Sequence, residues 1–395
     1  MYIHELKGPW IEHPFWRTRF VLKDAADLQK LKASRLKEVV IDIGRGLDVL
    51  PEPDPVEAQP TDKEIAMLEL DGLELVEPPK VVKPVTLDEE RRKAAKIIQS
   101  SRKEIASMFK DLRMGKVIEP DAVMPLVDDI SASVERNTHA LISLVRLKTA
   151  DDYTYMHSVA VCALMTTLAK ELGLTEEETK QAGLAGLLHD LGKASIPIQI
   201  LNKPGSLTDN EFDVIRQHPR IGHDLLIKAN ILDTATLDVC LHHHEKMDGS
   251  GYPEGLAGDN ISVFARMGAI CDVYDAVTST RAYKPGWEPG IALKRMASWK
   301  GHFDPVILNA FVKSLGIYPI GTVVMLKSGR LAVVVRQSQD SLLTPVVKAF
   351  FSTKSLAHIP AEEMDLSRQG SDEIVSNESA ASWGIGNIDH LWAAH

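Results

Sequence analysis

His157, His189-Asp190, His218, His243-His244 and Asp272 recur along the chain, each group about thirty residues from the next. A gap of that size holds two helices and a loop, so the pattern suits a helical bundle whose successive helices each send one polar group into a shared core. On a helix the adjacent His189 and Asp190 would point about 100° apart. A carboxylate beside an imidazole can then bridge two metal ions while the imidazole binds one. His243-His244-Glu245 runs on into Asp248-Gly249-Ser250-Gly251-Tyr252-Pro253.

Further blocks follow the same order: His189-Asp190-Leu191-Gly192-Lys193, Ile196-Pro197, Lys203-Pro204-Gly205, His218-Pro219, Ala265-Arg266, Asp272-Val273-Tyr274-Asp275-Ala276, Arg281-Ala282-Tyr283-Lys284 and Phe303-Asp304-Pro305. Together they resemble the HD-GYP family of bacterial cyclic-dinucleotide phosphodiesterases, a branch of the HD phosphohydrolases. The resemblance spans roughly residues 140 to 315. A lone His-Asp pair would carry nothing; this many ordered blocks carry the assignment.

The resemblance implies metal-dependent hydrolysis of cyclic di-GMP to pGpG and onward to GMP, with a bridging hydroxide as nucleophile between two divalent ions. His157, His189, Asp190 and Asp272 are expected to hold the first ion. Asp190 as bridge, with His218, His243 and His244, is expected to hold the second. Three imidazoles on one ion favour Fe or Mn, with Ni or Zn as further options, over Mg. Asp275 is expected to support a ligand, while His242 and His223 are read as ordinary helix residues. Some family members place a Glu one turn before the first His and bind a third metal. That position is Tyr153 here, so two metals are expected.

Lys193 follows Asp190 by three residues and is expected beside the metals as phosphate contact and proton donor to the leaving oxygen. Arg281 and Lys284 resemble the family's phosphate-binding pair. Gly251, Tyr252 and Pro253 shape a loop expected to face substrate or to dock a diguanylate cyclase (GGDEF) domain. Two other readings stay open: a cyclic-dinucleotide receptor or scaffold with little turnover, and a phosphohydrolase for another cyclic dinucleotide such as cyclic GMP-AMP.

The expected fold is multidomain and mainly α: a helical HD-GYP bundle at 122–315, a small N-terminal α/β domain at 1–55 and a β-rich extension at 316–395. An acidic, Pro-bearing linker at 56–85 follows Pro51-Glu52-Pro53-Asp54-Pro55. Residues 86–121 are read as a connecting helix, opened by the capping box of Thr86 and Glu89 and closed at Gly115. Ala94, Ile98, Ser101, Ile105, Met108 and Leu112 form one weakly apolar stripe on it. That stripe packs on its own domain or, alternatively, makes a homodimer through 86–114. Thr175 with Glu178 and Thr208 with Glu211 are two more capping boxes. Thr322–Leu326 and Leu331–Val335 read as a hairpin, Val346–Phe351 as a further strand, and the tail past about residue 365 as loosely ordered.

A net charge of −10 argues against nucleic acid or an anionic membrane surface as partner. Cys162, Cys240 and Cys271 are widely spaced and odd in number, which suits free thiols in a reducing cytoplasm. No apolar run has the length of a membrane span.

Overall fold

The computed structural model describes residues 2–7, 20–21, 38–41, 86–146, 153–201, 203, 205–279, 286–338 and 341–393. The chain divides into two compact units, Met1–Lys83 and Pro84–His395. In the first, β1 (Tyr2–Lys7), β2 (Phe20–Val21) and β3 (Glu38–Ile41) form an antiparallel sheet of order β2-β1-β3. The β-branched run Val39-Val40-Ile41 supplies the β3 strand, as its propensity predicts. The expected linker at 56–85 lies outside the described residues.

The second unit opens with α1 (Leu87–Arg113), whose capping box pairs Thr86 and Glu89 reciprocally. Gly115, at φ +78°, supplies the left-handed residue that stops it. The stripe expected on α1 is buried within the chain: Ala94, Ser101, Ile105 and Leu112 are covered, and Ile98 and Met108 are half-buried against the same core. Its neighbours are α2 (Pro120–Arg136), α3 (Thr138–Val145) and α4 (Tyr153–Glu171). Glu90 on α1 is fully buried and accepts from Ser133 Oγ at 2.8 Å and from Arg136 at 2.7 and 2.8 Å, clasping α1 to α2.

α4 is buried on every side from Met156 to Ala169, which is the pattern of a central helix. Around it lie α5 (Glu176–Leu188), the one-turn α6 (Ile198–Leu201), α7 (Asp209–Ile215), α8 (His218–Lys228), α9 (Thr234–His242), α10 (Val263–Thr278), α11 (Pro289–Ser298) and α12 (Pro305–Leu315). Thr175 and Thr208 cap α5 and α7 with the reciprocal bonds their sequence predicts. Cys162, Cys240 and Cys271 are free and buried.

After α12 the chain becomes a five-stranded antiparallel sheet. β4 (Val323–Leu326), β5 (Arg330–Arg336), β6 (Val346–Ser352), β7 (Ala357–Asp365) and β8 (Ile374–Glu378) run in the order β7-β6-β5-β4-β8. The expectation of a loose tail past residue 365 is incorrect. β8 pairs with β4, and Ile385, Ile388 and Trp392 are buried in one core with Val323, Val333 and Phe350. A few large apolar anchors outweigh the polar residues between them. Arg146, at the end of α3, ties this core to the bundle. It donates to Ile320 O at 2.6 Å and lays its guanidinium over the Trp392 ring at 4.9 Å. Among the described residues no helix is long and apolar enough to cross a membrane.

Candidate metal centre

The seven expected ligand side chains converge from separate stretches of the bundle. His157 comes from the second turn of α4, and His189 caps α5. His218 is the first residue of α8, His243 caps α9 with His244 next to it, and Asp272 projects from the middle of α10. All are buried except His244, whose side chain is 22% exposed and marks the mouth of the cluster.

The His189-Asp190 pair departs from the helical expectation. The chain leaves α5 at His189, and Asp190 (φ −100°, ψ 13°) opens a tight 3₁₀ turn, Leu191–Ser195. Within that turn the backbone at Gly192 packs closely on the start of α8, where an added Cβ would stand 1.9 Å from His218 O and 2.6 Å from Gly222 N. Residues three apart eclipse in such a turn. Lys193 therefore still reaches Asp190, with Nζ 2.5 Å from Oδ2.

Two donor groups form around Asp190. His157, His189, Asp190 and Asp272 make one; His218, His243 and His244 make the other, with donor atoms in each within 4.8 Å of one another. Asp190 Oδ2 lies 3.4 Å from both His157 Nε2 and His189 Nε2. Its Oδ1 faces the other way, 3.2 Å from His218 Nε2 and 3.8 Å from His243 Nε2. Asp272 Oδ1 lies 3.0 Å from His157 Nε2.

The tautomers follow from the hydrogen bonds. His189, His218 and His243 each place Nδ1 on a backbone carbonyl, at Gly186 (2.8 Å), Ile215 (2.7 Å) and Val239 (2.9 Å). Nδ1 then carries the proton and Nε2 presents a lone pair. His218 and His243 Nε2 stand 3.3 Å apart as two acceptors, and His189 Nε2 and Asp190 Oδ1 are buried with no hydrogen-bond partner. Buried acceptors facing one another are unstable unless a cation lies among them. The donor set fits divalent metal ions on that ground.

The charges agree. Burial alone would lower the His157 pKa, but hydrogen bonds to Asp190, Asp272 and Asp275 outweigh it and raise it to about 10. Burial lowers His244 to about 3 and, with neighbouring histidines, holds His243 well below its ordinary value. Burial would raise Asp190, yet Lys193 and the histidines hold it well below the usual carboxylate range. Asp275 bonds His157 Nδ1 at 2.6 Å and fixes that ring, the supporting place expected of it.

Of the other expected residues, Gly251 packs against backbone: an added Cβ would meet Glu245 Cα and Lys246 N at 2.5 Å. The close approach that Gly permits here is to the ligand-bearing segment itself. Tyr252 stacks on His244, with ring centroids 4.7 Å apart at 28°, and Pro253 follows through a cis peptide bond. Arg281, Lys284 and the Tyr153 side chain lie outside the described residues. His242 turns away to Asp238 (2.7 Å) and Glu254 (3.4 Å), and His223 lies 3.7 Å from Asp224.

Two features escaped the sequence reading. Glu245 is buried and accepts from Glu254 N (2.7 Å) and Gly255 N (3.0 Å), which pins the loop beyond Pro253. Arg216 lies over the Tyr252 ring, 4.9 Å from its centroid. Glu245 follows His243-His244 directly and so carried a signal; Arg216 is far from Tyr252 in sequence and carried none.

Residues 124–307 match the HD domain family, and residues 1–123 match a domain of unknown function, DUF3391, which takes in α1. A cyclic di-GMP phosphodiesterase of Pseudomonas aeruginosa is 51% identical over 394 residues, covering 99% of this chain and 92% of that protein. A cyclic di-GMP phosphodiesterase response regulator of Xanthomonas campestris is 43% identical over 149 residues, 37% of this chain and 39% of its own. A 3′3′-cGAMP-specific phosphodiesterase of Vibrio cholerae is 32% identical over 191 residues, 48% of this chain and 36% of its own. With the ordered motifs now gathered at one buried donor cluster, and a relative matched along nearly the whole length, this chain belongs to the HD-GYP family of HD-domain proteins, with a DUF3391 domain preceding the HD domain.

Proposed function

We propose that the chain is a metal-dependent phosphodiesterase that hydrolyses cyclic di-GMP to pGpG and onward to GMP at a centre of two metal ions. The observation that carries this reading is Asp190, whose two oxygens face two separate donor groups. In this reading His157, His189, Asp190 and Asp272 hold one ion, and Asp190, His218, His243 and His244 hold the other. The imidazole-rich set favours Fe or Mn, with Ni or Zn accommodated. Bound ions would activate water near neutral pH and neutralise charge on the phosphoryl oxygens.

The chain's own groups orient and move protons. Asp275 locks the His157 ring through Nδ1, and the Gly186, Ile215 and Val239 carbonyls lock His189, His218 and His243. Lys193, the nearest ammonium to Asp190, stands as phosphate contact and proton donor to the leaving oxygen. Gly251 and Pro253 set Tyr252 against His244 at the mouth, and Arg281 with Lys284 complete the phosphate grip. A diguanylate cyclase (GGDEF) domain docking on the Tyr252 loop belongs to the same reading.

The test is anaerobic incubation of purified protein with cyclic di-GMP and Fe(II) or Mn(II), following pGpG and GMP by chromatography with Asp190→Ala as control. Metal-dependent products, lost in the variant, and about two metals per chain support the reading. Bound metal without turnover sinks it in favour of a receptor. Faster turnover of cyclic GMP-AMP reassigns the substrate.

A further inference from the structure

Beyond the metals, the mouth of the cluster carries a second built feature. Two flat groups lie against the phenol ring of Tyr252: the His244 imidazole, stacked with centroids 4.7 Å apart, and the Arg216 guanidinium, 4.9 Å from the ring centroid. Arg216 caps α7, and the same guanidinium lies 5.8 Å from the ring of Phe212 one turn earlier. Phe212 meets Tyr252 edge-on, with centroids 6.4 Å apart at 78°, and remains 46% exposed. An α7 that spends a large aromatic ring and a cation on solvent, at the edge of a metal cluster, is using neither for its own core.

The neighbouring cations are committed. Lys193 is with Asp190 (2.5 Å), Lys203 with Glu211 (2.6 Å) and Arg220 with Glu254 (3.2 Å). Arg216 has no carboxylate partner among the described residues. The exposed Arg216 guanidinium is a planar fork with parallel N–H donors. Guanine answers that fork with two acceptors, O6 and N7. Adenine pairs its N7 with an amino donor, which opposes a second N–H. The exposed Phe212 ring beside the fork gives a base something to stack on, and aromatic stacking accepts any base. The flanking Phe212 and Tyr252 rings suit a flat base better than a second phosphate.

We propose that Arg216 and Phe212 form the guanine-reading wall of the substrate site, Phe212 stacking on one base and Arg216 donating two hydrogen bonds to its O6 and N7. The proposal rests on the function given above and adds the residues that select the base, which no metal ligand can do.

The test uses the full chain loaded with Mn(II) and compares wild type, Arg216→Ala, Arg216→Lys and Phe212→Ala. KM and kcat for cyclic di-GMP are measured together with inhibition constants for GMP, IMP and AMP, which share a phosphate and differ only in the base. Wild type is expected to hold GMP and IMP, both carrying O6 and N7, roughly tenfold or more tighter than AMP. Arg216→Ala should bring the three inhibitors together and raise KM roughly ten- to hundredfold with a smaller change in kcat; Lys should restore little, because it lacks the fork. Phe212→Ala should weaken all three inhibitors, since stacking serves any base. Equal weakening of GMP, IMP and AMP in Arg216→Ala would reduce Arg216 to a phosphate attractor or a support for Tyr252, and overturn the proposal. So would a wild type that does not tell GMP from AMP. A wild type inert on cyclic di-GMP but active on another dinucleotide fails the functional reading instead, and the turnover measurement separates the two failures.

Discussion

Gly192→Ala is the smallest change that should dismantle half of the metal centre without touching a ligand. The new Cβ would stand 1.9 Å from His218 O, about 1.5 Å short of the 3.4 Å at which ordinary contact begins, and 2.6 Å from Gly222 N. Both obstacles are backbone, so no side chain can swing aside, and the 3₁₀ turn and the start of α8 must separate by roughly 1 Å. Metal–ligand distances tolerate only about 0.2 Å, so His218 would be lost to its ion while His157, His189 and Asp272 keep theirs. The expected result is a fall from about two bound metals to about one, and a loss of turnover of about 100-fold, the usual cost of a 1 Å misplacement. Overpacking at this level costs roughly 2–3 kcal/mol, a drop of about 4–10 °C in Tm. Gly386→Ala serves as control, since a Cβ there meets nothing within 4 Å. Metal analysis after desalting, thermal melting and product chromatography read the outcome. Two metals and full turnover in Gly192→Ala would refute the argument that this backbone contact sets the position of His218.

Other expectations follow from the same geometry. Asp275→Asn keeps the shape beside His157 but weakens the bond to its Nδ1, and metal affinity should fall about 10–100-fold with little change in melting of the metal-free protein. In the metal-free protein His157, raised to about 10, is protonated at pH 7, whereas His244, lowered to about 3, is already neutral. Metal binding should therefore release at least about one proton per chain, and affinity should rise with pH until His157 is neutral. Calorimetric titration in two buffers of different ionisation enthalpy measures that release; zero protons would contradict it. Trp392→Ala removes a ring that is 3% exposed and lies under Arg146, and should cost about 3–5 kcal/mol, lowering Tm by roughly 10 °C. An unchanged Tm would return the tail to the loose state its composition suggested.

What could be read from the residues alone divides along physical lines. Local signals translated directly: the hydroxyl–carboxylate pairs Thr86/Glu89, Thr175/Glu178 and Thr208/Glu211 each cap a helix, because a capping box needs only four adjacent residues. The hairpin around Lys327-Ser328-Gly329 was equally plain, since alternation and turn chemistry are local. The convergence of His157, His189, Asp190, His218, His243, His244 and Asp272 was visible through their order and spacing. The fate of the tail was not, because burial of Trp392 depends on Arg146 and Val323, far away in the chain. The tight turn at Asp190 was hidden too, because the approach of Gly192 to His218 O brings together segments well apart in the chain. Arg216 had no motif to announce it, and its meaning comes from lying on Tyr252.

The three cysteines follow from the fold in a further way. Cys162 lies on α4 beyond His157, Cys240 one turn before His243, and Cys271 beside Asp272, all fully enclosed. Burial pushes the Cys162 thiol up to about 12, and raises Cys240 and Cys271 as well. Soft-metal capture and alkylation both need the thiolate, so these sulfurs stay silent while the bundle is closed. Each is thus a natural reporter: the rate at which a thiol reagent labels it clocks the opening of the helix that carries a ligand, with no engineered probe required.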